Sequence, residues 1–278
     1  MNRYLKLVHW EITRFWKMLM IMALVTIVMQ CAGVIYVTKR HISQVNESIQ
    51  MNNSTIAAYV QHYGKLSFIE GIEQAGLAIY ASITVCIGVL ILYVFFIWYK
   101  EWLGKNTFIY RLLTLPTARR NIYFAKLTAI LLFIFALVAL QIVLVPLENG
   151  LYMLAGGNTL FASSGMFELI SSNRLLHILI PQTFTDFVVN YGTGAIFVLI
   201  IFTGVLLERS YRLKGIAAAV LFIVTACLFM ILPLVLLTRM AENLYQNEIF
   251  FIEAALGLIV AAVTIWLGLH LITKKVTV

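Results

Sequence analysis

Residues 98–126, WYKEWLGKNTFIYRLLTLPTARRNIYFAK, form a basic segment between two long apolar runs. The segment contains six basic residues and a single acid, Glu101. Apolar residues recur at near-helical spacing over 107–115, and Pro116 ends this pattern because proline cannot continue a helix. The segment therefore predicts a short helix with one apolar face, followed by a new helix that Thr117 caps.

The composition of the whole chain indicates that lipid is its main solvent. Of the 278 residues, 62% are hydrophobic and 12% charged, and the mean hydropathy is +0.94. A soluble domain is nearer half apolar and a quarter charged, and a fold of this size could not hide so much apolar surface. The net charge of +8 does not indicate a nucleic-acid partner, because the basic residues lie at the ends of apolar runs.

Six apolar runs are long enough to cross a bilayer as helices. Each is close to the roughly 20 residues that a helix needs for this, and none alternates as the strands of a membrane barrel would. We therefore predict an all-α integral membrane protein with six transmembrane helices. The predicted spans are 18–37, 77–98, 127–147, 187–207, 216–237 and 249–272.

The first residues, 1–17, predict an amphipathic helix that lies in the membrane interface and precedes a six-span domain, 18–278. Apolar side chains share one face of this helix, and basic side chains populate the other. Trp10 and Trp16 suit the level of the lipid headgroups. The alternative is a solvated, charged entry to the first span.

The charges between the spans predict a multi-pass protein of the plasma membrane with both termini in the cytoplasm. One side holds 15 basic residues and the other side holds five. Cytoplasmic loops carry the excess of Lys and Arg, so the richer side is cytoplasmic. The cytoplasmic segments are then 1–17, 99–126, 208–215 and 273–278.

Two segments on the opposite side are long. Residues 38–76 predict a polar connection with a short amphipathic piece before the second span. Residues 148–186 are more apolar and predict one or two short helices, with Asn173 available as an N-cap and Pro181 as a stop. These helices either lie on the membrane face or form a lid packed on the helix ends.

The spans contain few groups that could perform chemistry. Gln30, Gln141 and Asn190 could line a translocation path, or they could form hydrogen bonds between helices. The sequence contains no zinc-ligand pair, no nucleophile elbow and no phosphate-binding loop. We therefore predict no catalytic, metal or cofactor residue, no enzymatic activity of the chain itself, and an energy source in another polypeptide.

The loop after the second predicted span contains an ordered set of residues: an acid, a glycine, a threonine, a leucine-rich turn, Leu-Pro, an arginine and a lysine that opens the third span. These are Glu101, Gly104, Thr107, Leu112-Leu113, Leu115-Pro116, Arg119 and Lys126. With this pattern and six charge-poor spans, the chain resembles the permease subunits of bacterial type-2 ABC exporters. In that family an interfacial helix precedes the first span, and the loop after the second span forms a coupling helix.

The resemblance implies a coupling helix that docks on a separate ATPase subunit, present in two copies, which binds ATP and Mg. It also implies a second permease subunit, identical or paralogous, in contact with membrane lipid. The implied docking residues are Glu101, Gly104, Thr107, Phe108, Arg111, Leu112, Leu115, Pro116 and Arg119. The expected substrate is amphipathic or apolar, such as a peptide antibiotic or a lipid-like compound.

Two alternatives remain open at this point. The basic segment 98–126 could lie among the lipid headgroups and dock on no protein. The chain could also be a non-transporting sensor or immunity protein that binds a toxin through its outer loops. A membrane enzyme, by contrast, would need a catalytic pair that the sequence does not provide.

Overall fold

The computed structural model describes residues 3–102, 118–157, 160–239 and 246–275, and these are almost entirely helical. The helices are α1 (Arg3–Met51), α2 (Ile56–Tyr63), α3 (Phe68–Trp102), α4 (Arg119–Gly156), α5 (Met166–Ser172), α6 (Arg174–Leu179), α7 (Phe184–Arg239) and α8 (Gln246–His270), which continues as a π-helical turn, Leu271–Lys275. Two short strands, β1 (Leu66–Ser67) and β2 (Phe161–Ala162), pair in parallel.

Within these ranges, six helical stretches are long and apolar enough to cross a membrane. Each overlaps one predicted span, so the prediction of an all-α, multi-pass membrane protein is confirmed. The stretches are Arg3–Met51, Gly76–Trp102, Arg119–Ala155, Phe184–Tyr211, Leu213–Pro233 and Phe250–Lys275.

The first helix is longer than the predicted first span. It runs from Arg3 to Met51 without a break, so no helix end separates the predicted interfacial part, 1–17, from the span 18–37. The interfacial position of 1–17 stays a prediction. The polar residues 41–51 were predicted as part of a connection, but they continue the helix because they contain no Gly or Pro and bury Val45 in the core. The chain turns at Asn53, whose positive φ of 46° suits asparagine.

The long helix α7 contains the predicted reversal between the fourth and fifth spans. An added Cβ at Gly215 would lie 2.7 Å from the carbonyl oxygen of Glu208. Residues seven apart in a straight helix are separated by about 10 Å along its axis. The chain therefore folds back at this point, and only glycine fits the close backbone approach.

The chain divides into two compact units. The first unit comprises the described residues of Met1–Arg14, Leu90–Leu132 and Thr183–Val278. The second comprises Phe15–Val89 and Phe133–Gln182.

The core of the second unit joins α1, α3 and α4 to the segment 148–186. Tyr152 and Phe161 pack edge to face at 4.6 Å within it. The two short helices α5 and α6 bury Leu169 and Leu176 in the same cluster. The side chain of Asn173 caps α6 by accepting hydrogen bonds from two backbone N–H groups. The predicted short helices and their cap are confirmed, and both helices pack against the core of this unit. Their position relative to the membrane face stays a prediction.

Candidate functional site

Lys126 is the centre of a buried ion cluster in the first unit. Its Nζ donates hydrogen bonds to Oε1 of Glu11 (2.7 Å), Oε1 of Glu101 (2.5 Å) and the carbonyl oxygen of Ile97 (3.0 Å). Lys126 and Glu101 are completely buried, and Glu11 is 2% exposed. All three donors of the ammonium group are therefore used. We call Glu11, Glu101 and Lys126 the ion cluster.

The ion cluster joins three helices next to the basic segment. Glu11 comes from α1, Glu101 lies one residue before the end of α3, and Lys126 lies in the third turn of α4. The two helices that lead into and out of residues 103–117 are thus tied to each other and to the N-terminal helix. The ion cluster therefore holds together the two helix ends that flank the segment predicted to dock.

Further positive charge and aromatic rings surround the cluster. A guanidinium nitrogen of Arg14 lies 3.8 Å from Oε1 of Glu101, and this guanidinium is 4.9 Å from the ring centroid of Trp10. Nζ of Lys126 lies 5.2 Å from the ring centroid of Trp98. Two carboxylates are therefore balanced by two cations, which offsets the large penalty for removing each charge from water.

An aromatic trio packs beside the ion cluster and connects it to α7. Trp98 and Phe202 pack edge to face at 5.5 Å, and Tyr123 and Phe202 do so at 5.6 Å. All three side chains are completely buried. The trio excludes water from one side of the cluster, which strengthens the ion pairs.

A second group of contacts reaches the last residues of α3. The hydroxyl of Tyr99 donates to Glu208, and the guanidinium of Arg209 lies 4.7 Å from the Tyr99 ring centroid and 5.7 Å from that of Trp102. A cleft of about 360 Å³ lies here, lined by Trp102, Glu208, Arg209, Leu213 and Ile216. The cleft adjoins Trp102, the last described residue before 103–117.

Arg119, on the other side of the basic segment, binds the end of the last helix. It donates to the carbonyl oxygens of Ile272 (3.3 Å) and Thr273 (3.2 Å). Carbonyl groups at a helix C-terminus lack partners within the helix, so a guanidinium is well suited to satisfy them. Arg119 therefore ties the start of α4 to the C-terminal helix.

Most of the predicted docking residues lie outside the described residues. These are Gly104, Thr107, Phe108, Arg111, Leu112, Leu115 and Pro116. Glu101 is described, and its carboxylate is completely buried in the ion cluster. Its role in docking stays a prediction.

The structure brings together two of the three polar residues predicted for a translocation path. In the second unit, Nε2 of Gln30 donates to Oγ of Ser82 (2.8 Å) and to Oε1 of Gln141 (3.1 Å). Gln30 and Ser82 are completely buried, and Gln141 is 4% exposed. These bonds join α1, α3 and α4. Asn190, the third residue, belongs to the first unit and is half-buried there.

Sequence reasoning missed a further buried acid in the second unit. The predicted span 127–147 ends just before Glu148, but α4 continues to Gly156 and the Glu148 side chain is 1% exposed. Among the described residues, no cation lies within ion-pair distance of it, and its Oε1 has no hydrogen-bond partner. The missed signal is its spacing: Glu148 follows Gln141 by two helical turns, on the same face.

Comparison with known proteins gives no relative for this architecture: no protein-family model, curated protein or solved structure matches the chain.

Proposed function

We propose that the chain is the membrane-spanning permease subunit of an ATP-driven exporter of the bacterial type-2 ABC class. The observation that carries this proposal is the ion cluster. It ties both flanks of the basic segment 98–126 to α1 through Glu11, Glu101 and Lys126. A segment held in this way can pass a force to several spans at once, whereas a loop attached by flexible ends cannot.

In the proposed mechanism, residues 103–117 dock on a separate ATPase, and two such subunits close when they bind ATP and Mg. Closure displaces the segment. Because Glu101 and Lys126 pair with each other at its base, the displacement is passed jointly to α3 and α4, and through Glu11 to α1. The helices then move between two packed arrangements, as coupling between distant sites requires.

The cleft beside Trp102 supports docking at the same end of the first unit. It combines apolar walls, Leu213 and Ile216, with the opposite charges of Glu208 and Arg209. Apolar anchors surrounded by charged neighbours are typical of surfaces that bind a partner helix or loop.

The proposed assembly contains two permease subunits, identical or paralogous, in the plasma membrane, with the termini in the cytoplasm. The proposed substrate is amphipathic or apolar, such as a peptide antibiotic or a lipid-like compound, because the spans carry few charges. Export of such a compound would protect a cell that produces the compound or is exposed to it.

The test is affinity purification of the full chain from native membranes. We expect an ATPase without membrane spans to co-purify and to hydrolyse ATP faster in the complex. Arg111→Glu should lower both the amount bound and the stimulation, because it reverses a charge in the docking segment. Arg119→Glu tests the same surface, but its thermal stability must be measured as well, since Arg119 also binds the end of the last helix.

The matched control is Lys274→Glu, which reverses an exposed charge outside the segment. It should leave both measurements unchanged. If no ATPase co-purifies with the wild type, the transporter proposal fails. If Arg111→Glu keeps full binding and stimulation, the docking assignment fails. Protection against a toxin without any ATPase would favour the sensor or immunity function.

A further inference from the structure

A second cavity in the first unit lies near the start of α8, about 27 Å along that helix from the carbonyl groups that bind Arg119. Its volume is about 320 Å³, at the lower end of the range for small-molecule sites. The walls come from the first turns of α7 and α8 and from the fifth span. Most of its lining is apolar, including Val189, Ile196, Met230 and Phe250.

One charged side chain lines this apolar cavity. Glu253 lies in the first turns of the span Phe250–Lys275 and is half-buried. Among the side chains that the structure describes, no cation lies within ion-pair distance of its carboxylate and none donates to it. The ion cluster around Lys126 shows the contrast, since each buried carboxylate there meets a cation. A carboxylate at the edge of an apolar cavity gains most from a ligand that brings its own positive charge.

The cavity is kept open by two glycines. An added Cβ at Gly192 would meet no atom within 4 Å, and one at Gly257 would lie 3.3 Å from Cδ1 of Ile196. A larger side chain at Gly192 would therefore enter the cavity and not collide with the backbone.

We propose that this cavity binds an amphipathic cation, with its apolar chain or ring among the helices and its ammonium or guanidinium group on Glu253. This inference rests on the proposed function, for which it names the class of substrate. An acyl chain alone would leave the carboxylate without a counter-ion. A second copy of the chain, seated here about a two-fold axis, would bring its own Glu253 toward this one, and like charges repel.

The experiment measures equilibrium binding of tritiated decylammonium to the full-length protein in dodecyl maltoside, after subtraction of uptake by protein-free micelles. We expect saturable binding of one decylammonium per chain. Glu253→Gln keeps the shape of the site and removes its charge, so the affinity should fall about tenfold. Gly192→Leu fills the cavity and should abolish saturable binding.

Two variants serve as matched controls. Glu248→Gln removes an exposed acid from the same helix, and Gly194→Leu places the same side chain at an exposed glycine where an added Cβ meets nothing. Both should bind decylammonium as the wild type does. Thermal unfolding of every variant separates loss of the site from loss of the fold.

Unlabelled competitors test the chemistry and the source of the ligand. Decanol and decyl sulfate should compete at least tenfold more weakly than decylammonium. If phosphatidylethanolamine displaces tritiated decylammonium, and does so only when Glu253 is present, the occupant is a lipid amine. If phosphatidylethanolamine does not displace it, the occupant is a free amphiphile. Both results support the cationic site.

The proposal is overturned if Glu253→Gln binds as tightly as the wild type, or if decanol competes equally. A change of oligomeric state in Gly192→Leu, without loss of binding, would assign the cavity to a second copy. The assay contains no ATPase. If the wild type does not bind decylammonium saturably but an ATPase co-purifies with it, the site is refuted and the transport function is not. If decylammonium binds as expected but no ATPase co-purifies, the transport function is refuted and the site is not.

Discussion

Replacing Lys126 by methionine tests the ion cluster most directly. Methionine keeps the length and most of the apolar volume of lysine but removes its charge and its three donors. Glu11 and Glu101 would then lie buried with Arg14 as the nearest remaining cation, 3.8 Å from one oxygen of Glu101. Removing one partner of a buried ion pair typically destabilises a protein by about 3–5 kcal/mol, because the remaining charge stays buried.

For a chain of this size, each 1 kcal/mol shifts the melting temperature by roughly 2–4 °C. We therefore expect Lys126→Met to lower the melting temperature by about 6–20 °C. The measurement is thermal unfolding in dodecyl maltoside, followed by intrinsic tryptophan fluorescence. Trp98 lies 5.2 Å from Nζ of Lys126, so it also reports on the site itself.

Two further variants make this prediction specific. Lys274→Met is the same substitution at an exposed lysine and should leave the melting temperature unchanged. The triple variant Lys126→Met, Glu11→Gln and Glu101→Gln removes all the buried charge of the cluster and should recover most of the lost stability. The reasoning is refuted if Lys126→Met melts within about 2 °C of the wild type, or if the triple variant melts as low as the single one.

Three further substitutions are expected to change the same melting temperature. Gly33→Val should destabilise the second unit by about 1–3 kcal/mol, because an added Cβ would lie 2.5 Å from Cβ of Ala78. The control is Gly88→Ala, which should be neutral or stabilising because an added Cβ there meets no atom within 4 Å. Gln141→Leu should cost about 0.6 kcal/mol, the mean for an intramembrane hydrogen bond, and a larger loss would indicate a wider polar network. Glu148→Gln should stabilise the protein by about 2 kcal/mol at pH 8, because an amide avoids the burial of a carboxylate; a lower melting temperature would show that the charge has a partner.

The spans could be predicted from the sequence because lipid imposes a local requirement. A helix that crosses a bilayer needs about 20 consecutive apolar residues, and each such run can be read without knowledge of its neighbours. The cap of α6 is equally local, since the Asn173 side chain accepts from backbone groups two and three residues ahead.

Helix ends were predicted less well where tertiary packing overrides composition. Residues 41–51 are polar enough to read as a connection, yet they remain helical because Val45 enters the core of the second unit. The reversal at Gly215 falls within the predicted connection 208–215, although the backbone of α7 is helical on both sides of it.

The ion cluster could not be predicted because its members are far apart in sequence. Lys126 is 115 residues from Glu11 and 25 from Glu101. A count of charges between spans treats all three as surface groups that face water or headgroups. The count still favours the same orientation without them, because a single lysine is a small part of an excess of 15 to five.

The described acids thus differ in whether a cation lies close to the carboxylate. Glu11 and Glu101 are buried against Lys126, and a pair of this kind adds little net stability over an apolar replacement. The advantage that we expect is geometric, because charges held at hydrogen-bond distance restrict the relative positions of their helices. No described side chain places a cation within ion-pair distance of Glu253, so its charge remains available to a ligand. A substitution at the ion cluster should therefore change stability and coupling together, whereas one at Glu253 should change ligand affinity alone.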